Sequence, residues 1–425
     1  MANNFESNFT RKLSARVLDP FENSRILSKT VNTQLLAGAF DPSTGENVDF
    51  KRPTDYITQE TSDGDISATT ANSIIRGKAT GTVQDYITVE VDFNEADEAL
   101  KMDNDETEFF DSMAQRIVTK LETNFSAFMM KNSGLLSGAV GTAADAWSDV
   151  ANWGATLKTT GVPSGMQCAA VNSYTQAALA DIQRSLGAGG SAGGLVSKAL
   201  QDATIARNFG GLTVVTADTL STYTLPATGD LVGAVNGAPD VTYVTAKDTM
   251  TQTITVDGFG AFTGTIPAGA QVKITGVNRL NLATRQPVID ATGAGVVFSG
   301  TLAQDATLTG GAGDMVITGP GLFEANGQYN TTDTAISDND VITIQGADST
   351  TYQPNLFWHK NAFGIGSVPL KKLYSTDTIM TTKDGLQMRV SKGASIRENK
   401  QIVRIDIRPA FAALNPFFAG HGWGS

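Results

Sequence analysis

Few side chains in this 425-residue sequence are suited to catalysis: two histidines, His359 and His421, and one cysteine, Cys168. A lone cysteine excludes an internal disulfide framework and every Cys-cluster metal site. Neither histidine has the HExxH spacing that would put two imidazoles on one helix face around a metal. His359 follows Phe357 and Trp358 and reads as a packed or hydrogen-bonded structural residue, and Cys168, at a strand start, as a buried small hydrophobe. No GxSxG nucleophile elbow occurs. Asp103, Asp105, Glu106 and Glu108 could be imagined as paired acids, but at a helix start they more simply favour the macrodipole.

The glycine-rich stretches carry no more chemistry. GAGGSAGG (187–194) lacks the Lys-Ser/Thr that ends a phosphate-binding loop and no strand feeds it, so it reads as a flexible loop. GGAGDMVIT (310–318) has the outline of a calcium-binding nonapeptide, but it occurs once and Met315 stands where the ligand Asp should be, so GAGD reads as a turn. Catalysis, cofactors and metals are therefore not expected. What remains is surface charge. Lys51, Arg52, Arg76 and Lys78 blunt the strand edges of a long excursion. Arg404, Asp406 and Arg408 alternate on one face of the last strands, where they could pair across a subunit contact or be solvated surface charges.

The elements that must position these residues follow from composition and period. With 31 Lys+Arg against 43 Asp+Glu, a net charge of −12 leaves no electrostatic footprint for gripping nucleic acid. The length predicts two or three structural units. No basic start with an apolar h-region opens the chain, so synthesis in the cytoplasm without a signal peptide is expected, and no run of eighteen apolar residues suggests a membrane span. Apolar residues between Asn8 and Ala39, interrupted by Pro20, suggest two short helices in an arm. NVDFKRP (47–53) and YITVEVDF (86–93) read as strands flanking a hairpin-like β excursion, either a surface loop or an arm reaching another subunit. From a cap at Asn104, the residues Phe109, Met113, Ile117, Leu121, Phe125 and Phe128 predict one helix ending near Gly134. At about 28 residues it would be roughly 42 Å long.

Residues 140–217 read as α/β, with helices at 147–161 and in the second part of 168–186, and strands at Cys168 and within 209–218. The composition then shifts. Residues 219–346 hold four bases (Lys247, Lys273, Arg279, Arg285) against eleven acids, with 18 Gly and 23 Thr. Strands are expected at 241–246, 252–258, 271–277, 295–301, 314–320 and 340–346, a small antiparallel barrel or sandwich inserted in a host domain. The α/β pattern resumes after Tyr352, and a strand pair closes the chain.

This order, together with LLAGAFDPSTGENVDFKRP (35–53), GDISATTANSIIRGKATGTVQDYITVEVDF (64–93), QRIVTKLETNFSAFMMKN (115–132), PNLFWHKNAFGIGSVPL (354–370) and RIDIRPAFAALNP at the end, resembles the major capsid proteins of lederbergvirus-type short-tailed double-stranded DNA phages. That family is a branch of the Hong Kong 97 fold with an added insertion domain. The resemblance implies an α+β fold divided into an N-terminal arm (1–45), an extended β loop with flanking strands (46–92), a peripheral domain with a spine helix (93–140 and 386–425), an axial domain (141–218 and 347–385) and a barrel-like inserted domain (219–346). It implies self-assembly into hexamers and pentamers of an icosahedral head, through a scaffold-assisted procapsid that expands as DNA is packaged. The implied partners are a scaffolding protein, a portal protein, decoration proteins and enclosed double-stranded DNA held without sequence preference, with no membrane and no cofactor. In the family the inserted domain bears a loop to a neighbouring capsomer, for which 240–252, with Lys247 and Asp248, is the candidate. The competing class is a β-rich adhesin or tail-fibre-like binding protein.

Overall fold

The computed structural model describes residues 17–33, 45–67, 71–94, 106–185, 199, 201–239, 241–325, 327–373, 377–395 and 400–425. It is α+β and divides into two units, one of residues 1–48, 81–126 and 363–412, the other of 49–80, 127–362 and 413–425.

In the first unit, alternation builds a sheet. Met388 and Val390 in Gln387–Ser395, and Val403, Ile405 and Ile407 in Lys400–Ile407, are all fully buried. These strands pair antiparallel in the order Thr378–Thr381, Gln387–Ser395, Lys400–Ile407, Ile87–Asn94. A second sheet orders Asn47–Lys51, Lys78–Val83, Pro409–Ala413 and Phe363–Ser367. The long helix spans Glu106–Lys131, 26 residues, and buries Met113, Ile117, Leu121 and Phe125 at the four-residue spacing expected. Phe125 lies 5.0 Å from the ring of Phe411. The predicted cap Asn104, with Asp103 and Asp105, lies outside the described residues.

Only part of the arm is described: residues 17–24 are helical and Leu27–Lys29 forms a 3-10 turn. Glu122 fixes that turn to the helix. Its buried carboxylate accepts the Leu27 N–H at 2.7 Å, the Ser28 N–H at 3.3 Å and the Ser28 hydroxyl at 2.5 Å. Arg25, equally buried, donates to Ser28 Oγ and pairs with Asp384 at 3.1 Å.

The second unit contains the α/β sheet and the barrel. The sheet order is Leu135–Ser137, Ala419–Gly422, Asn355–His359, Gln167–Val171, Leu212–Thr216, Asn208–Phe209, with parallel and antiparallel neighbours. Helices Trp147–Thr160 and Ser173–Ser185 accompany it, and Gly161 ends the first of them at φ 93°, its N–H returning to Leu157 and Lys158 carbonyls. GAGGSAGG lies outside the described residues.

Six strands close the barrel in the order Thr251–Asp257, Val232–Val235, Val341–Ile344, Gln271–Asn278, Val297–Leu302, Ala312–Thr318, the last pairing back to the first. Ile254, Val256, Val272, Ile274, Phe298, Met315, Ile317 and Ile342 fill its interior. Strands Ala306–Thr309 and Gly264–Ile266 extend the sheet, and Gly310 and Gly311, both at positive φ, make a two-residue turn, so of the GAGD expected as a turn only Gly311 lies in it and Ala312, Gly313 and Asp314 open the strand Ala312–Thr318. The expected strand at 241–246 is instead the helical turn Tyr243–Ala246, which buries Tyr243 and Ala246 three residues apart. The missing sixth strand is Val232–Val235, where Gly233 lies so close to Phe259 that a Cβ would collide with the ring. Tyr223–Thr224 and Thr351–Tyr352 pair, so the chain enters and leaves this region side by side.

The long helix ends against the barrel. The carbonyls of Met130 and Lys131 at its end, which have no partner within the helix, and those of Ser133 and Gly134 just beyond it, are each met by a side chain. His421 Nε2–H donates to Met130 O at 2.9 Å, Thr318 to Lys131 O at 3.1 Å, Thr301 to Ser133 O, and Arg279 to Gly134 O at 3.2 Å. The buried Arg279 also binds Ser299 O and Oγ.

Candidate subunit-contact surfaces

The excursion between Lys51 and Lys78 contains no strand among its described residues, so the expected β hairpin is an extended loop. Its two limbs are tied to each other by Ile57 and Asn72, which exchange two hydrogen bonds. Both limbs are also tied to loops beyond residue 240. On the outgoing limb, Arg52 is buried and donates to Lys78 O and Leu414 O, and Asp55 pairs with Arg285. On the returning limb, Ile75 O accepts from the Tyr329 hydroxyl at 2.9 Å and Ser73 O from Gln328 at 2.8 Å. Lys78 donates its backbone N–H to Asp248 at 3.0 Å and its ammonium to Asp49 at 2.9 Å. Tyr243 stacks on Tyr329 with ring centroids 3.6 Å apart.

Of the candidate contact residues, Lys51 and Arg76 are exposed. Arg52, Lys78, Lys247 and Asp248 come together at the root of the loop. Burial pushes the Arg52 guanidinium down to about 10. Burial raises Asp248, but the bonds from Lys247 and the Lys78 N–H prevail and hold its carboxyl below the usual range.

The terminal sheet gathers the other three candidates differently. Arg389, Asp406 and Thr88 lie directly opposite one another on three adjacent strands. Asp406 is fully buried and accepts from Arg389 Nη2 at 2.5 Å, Arg404 Nε at 2.6 Å and Thr88 Oγ at 2.8 Å. Burial alone would raise its carboxyl, yet these donors hold it below the ordinary value. Arg404 keeps 43% of its side chain exposed. Arg408 pairs with Glu46 at 3.1 Å and covers the Tyr86 ring at 5.1 Å. Arg389, Tyr329 and Arg285 are central to these clusters and carried no local signal, since each becomes informative only through a partner distant in sequence.

Seven acids of the barrel region bind groups within that region. Asp230, Asp290, Asp305, Asp333, Asp338 and Asp340 each accept a backbone N–H within this region, and Asp314 accepts the Thr255 hydroxyl at 2.7 Å. Among the described residues no three His, Cys, Asp or Glu side chains group as metal ligands. His359 is buried, accepts the Asn361 N–H on Nδ1 at 3.2 Å and meets Phe418 edge-on. Cys168 is buried, which pushes its thiol up. No helix among the described residues is long and apolar enough to cross a membrane.

Paired charges at the loop root and across the terminal sheet suit a protein whose business is contact. A family profile described as "P22 coat protein - gene protein 5" matches residues 1–424. The chain belongs to that P22 coat protein family. A curated relative, the "Major capsid protein" of Acyrthosiphon pisum secondary endosymbiont phage 1, is 35% identical over 431 residues, covering 100% of both chains. As a member of the P22 coat protein family the chain is a structural phage capsid protein and not an enzyme, which sets aside the adhesin reading. Among solved structures, one titled "Mycobacterium phage Che8" aligns at TM-score 0.48 and 12% identity, covering 93% of this chain and 90% of that one. "Capsid structure of the Cyanophage P-SCSP1u" aligns at 0.41 and 11%, covering 90% and 84%.

Proposed function

We propose that this coat protein forms the icosahedral head as hexamers and pentamers on the Hong Kong 97 plan, through a scaffold-assisted procapsid that expands as double-stranded DNA is packaged. In this reading residues 1–45 are the arm, 46–92 the extended loop and its strands, 93–140 and 386–425 the peripheral domain, 141–218 and 347–385 the axial domain, and 219–346 an inserted barrel. The side-by-side pairing of Tyr223–Thr224 with Thr351–Tyr352 supports the last of these, because an insertion must leave and rejoin its host at one place. Portal and decoration proteins would be further partners, and assembly would take place in the host cytoplasm.

The observation that carries the reading is the long loop. It is fixed at its root, yet exposes Tyr56, Ile66 and Ile74 at 51%, 57% and 72%. Lys51, Arg76 and the exposed parts of Lys78, Arg404 and Arg408 would lie at subunit contacts, where many modest interfaces hold collectively in a closed shell. The net charge of −12 suits a wall that encloses DNA without holding it, since each neutralised phosphate would add affinity that opposes ejection. Expression with and without a scaffolding protein, followed by electron microscopy, tests this. Uniform closed shells with scaffold are expected. A stable monomer that stays monomeric under both conditions would overturn the reading.

A further inference from the structure

The root of the extended loop is built more firmly than a surface loop requires. Its anchors sit at both limbs, at Arg52 and Asp55 on one side and at Ser73, Ile75, Gly77 and Lys78 on the other. Apart from Asp49 and Leu414 O, the described residues that hold them from outside the loop come from 243–248, Arg285 and 328–330. Gly77 approaches Lys247 so closely that a Cβ there would collide with the Lys247 carbonyl oxygen. Arg285 adopts φ 55°, a left-handed conformation that residues with a side chain rarely take. In that conformation it reaches Asp55 with one nitrogen and Asn330 O, at 2.5 Å, with another. Tyr329 serves both limbs at once, donating to Ile75 O and accepting the Asp55 N–H at 3.3 Å. Its ring is held by Tyr243, and both tyrosines belong to the buried cluster of the α/β sheet, against which Ile75 packs.

We propose that the turn Tyr243–Ala246 with Lys247 and Asp248, together with Arg285 and Tyr329, is a mount that fixes the direction in which the extended loop leaves its own chain, presenting it already ordered to a second copy. Lys247 and Asp248 then act as positioning residues within one chain: the backbone of the first faces Gly77, and the carboxylate of the second accepts the Lys78 N–H. The loop loses its conformational freedom on folding rather than on association, so the partner meets a preformed surface. Only the final clause, presentation to a second copy, rests on the proposed shell-forming role; the mount itself is a property of the single chain.

Two variants test it in the full chain. Gly77→Ala adds one methyl against Lys247 O, and Gly77 is not in the left-handed region, so the collision is its principal effect. Tyr329→Phe keeps the stack on Tyr243 and removes the two hydroxyl bonds. Hydrogen exchange of unassembled subunits is expected to speed up at least tenfold across residues 54–77 in Gly77→Ala and about threefold in Tyr329→Phe, a single hydrogen-bonding group being worth less than a steric clash. Barrel strands Gln271–Asn278 and Val297–Leu302 should keep wild-type exchange in both. Shell formation with the scaffolding protein, followed by light scattering, should slow in the same order. Wild-type exchange over 54–77 in both variants would overturn the mount, and faster exchange with an unchanged assembly rate would overturn its role in presentation. Failure of the wild-type chain to form shells would count against the shell-forming role, and the exchange readout would still stand.

Discussion

The terminal sheet and the barrel handle negative charge in opposite ways. In the sheet a single carboxylate, Asp406, is taken out of water and surrounded by Arg389, Arg404 and Thr88. In the barrel region the carboxylates stay near the surface: Asp290 ties down backbone N–H groups of its own loop, and Asp348, just past the barrel, ties down those of the loop at Thr228 and Gly229. A buried charge cluster couples three strands and fails as a unit when one member is lost, whereas distributed caps fail one loop at a time. In these two regions carboxylates thus serve in two ways: one structural bolt and many small loop ties.

Variants can break that contrast, beginning with the largest effect. Asp406→Asn leaves two guanidinium groups at a buried carboxamide, and should lower the unfolding free energy in urea by about 3–5 kcal/mol. A loss below about 1 kcal/mol would show that the cluster is no more than a surface pair.

The end of the long helix lies between the two extremes. Burial pushes His421 down to about 4, so the unfolded chain takes up a proton near pH 6.5 while the folded one does not. Stability should therefore fall as pH drops from about 6.5 to 4, by on the order of 3 kcal/mol in all, and level off below. His421→Gln, which can still donate to Met130 O, should flatten that limb in pH-dependent urea unfolding. Arg279→Met leaves the Gly134 and Ser299 carbonyls without their donor, and calorimetry should report a loss of about 1–3 kcal/mol.

The smallest effect belongs to the barrel's exposed acids. The Thr228 hydroxyl and the Gly229 and Thr228 N–H groups hold Asp348 below the usual carboxylate range. Its contribution is complete above a pH of roughly 4 and disappears as pH falls through the lower folded value. Asp348→Asn should leave the neutral-pH melting temperature nearly unchanged and make hydrogen exchange at 226–232 insensitive to acid. A global loss like that of Asp406→Asn would erase the distinction between bolt and ties.

How much of this was legible in sequence depended on how locally each feature is encoded. Met113, Ile117, Leu121 and Phe125 announce the long helix because its period lies within one segment, and alternation at Val272/Ile274 and Ile342/Ile344 marks barrel strands in the same way. Residues 241–246 misled because Val241, Thr242, Val244 and Thr245 favour a strand, while the packing of Tyr243 on Tyr329 requires a helical turn. Val232–Val235 was hidden by Gly233, whose missing side chain makes room for Phe259. The spacing of Arg404, Asp406 and Arg408 pointed to one face, but only the cross-strand neighbours Arg389 and Thr88 decide that Asp406 is the buried member. Arg279 stood in the sequence as an isolated base; its meaning comes from the helix end it meets.

Closure of the barrel has a consequence for a protein made to crowd with its own copies. Each strand of the closed ring has neighbours on both sides, and the extension ends in Gly264–Ile266, three residues long. An open strand of normal length is a template that any identical chain can extend indefinitely. By curling its most β-rich region shut, the chain removes a route to fibrous polymer that would compete with the finite particle.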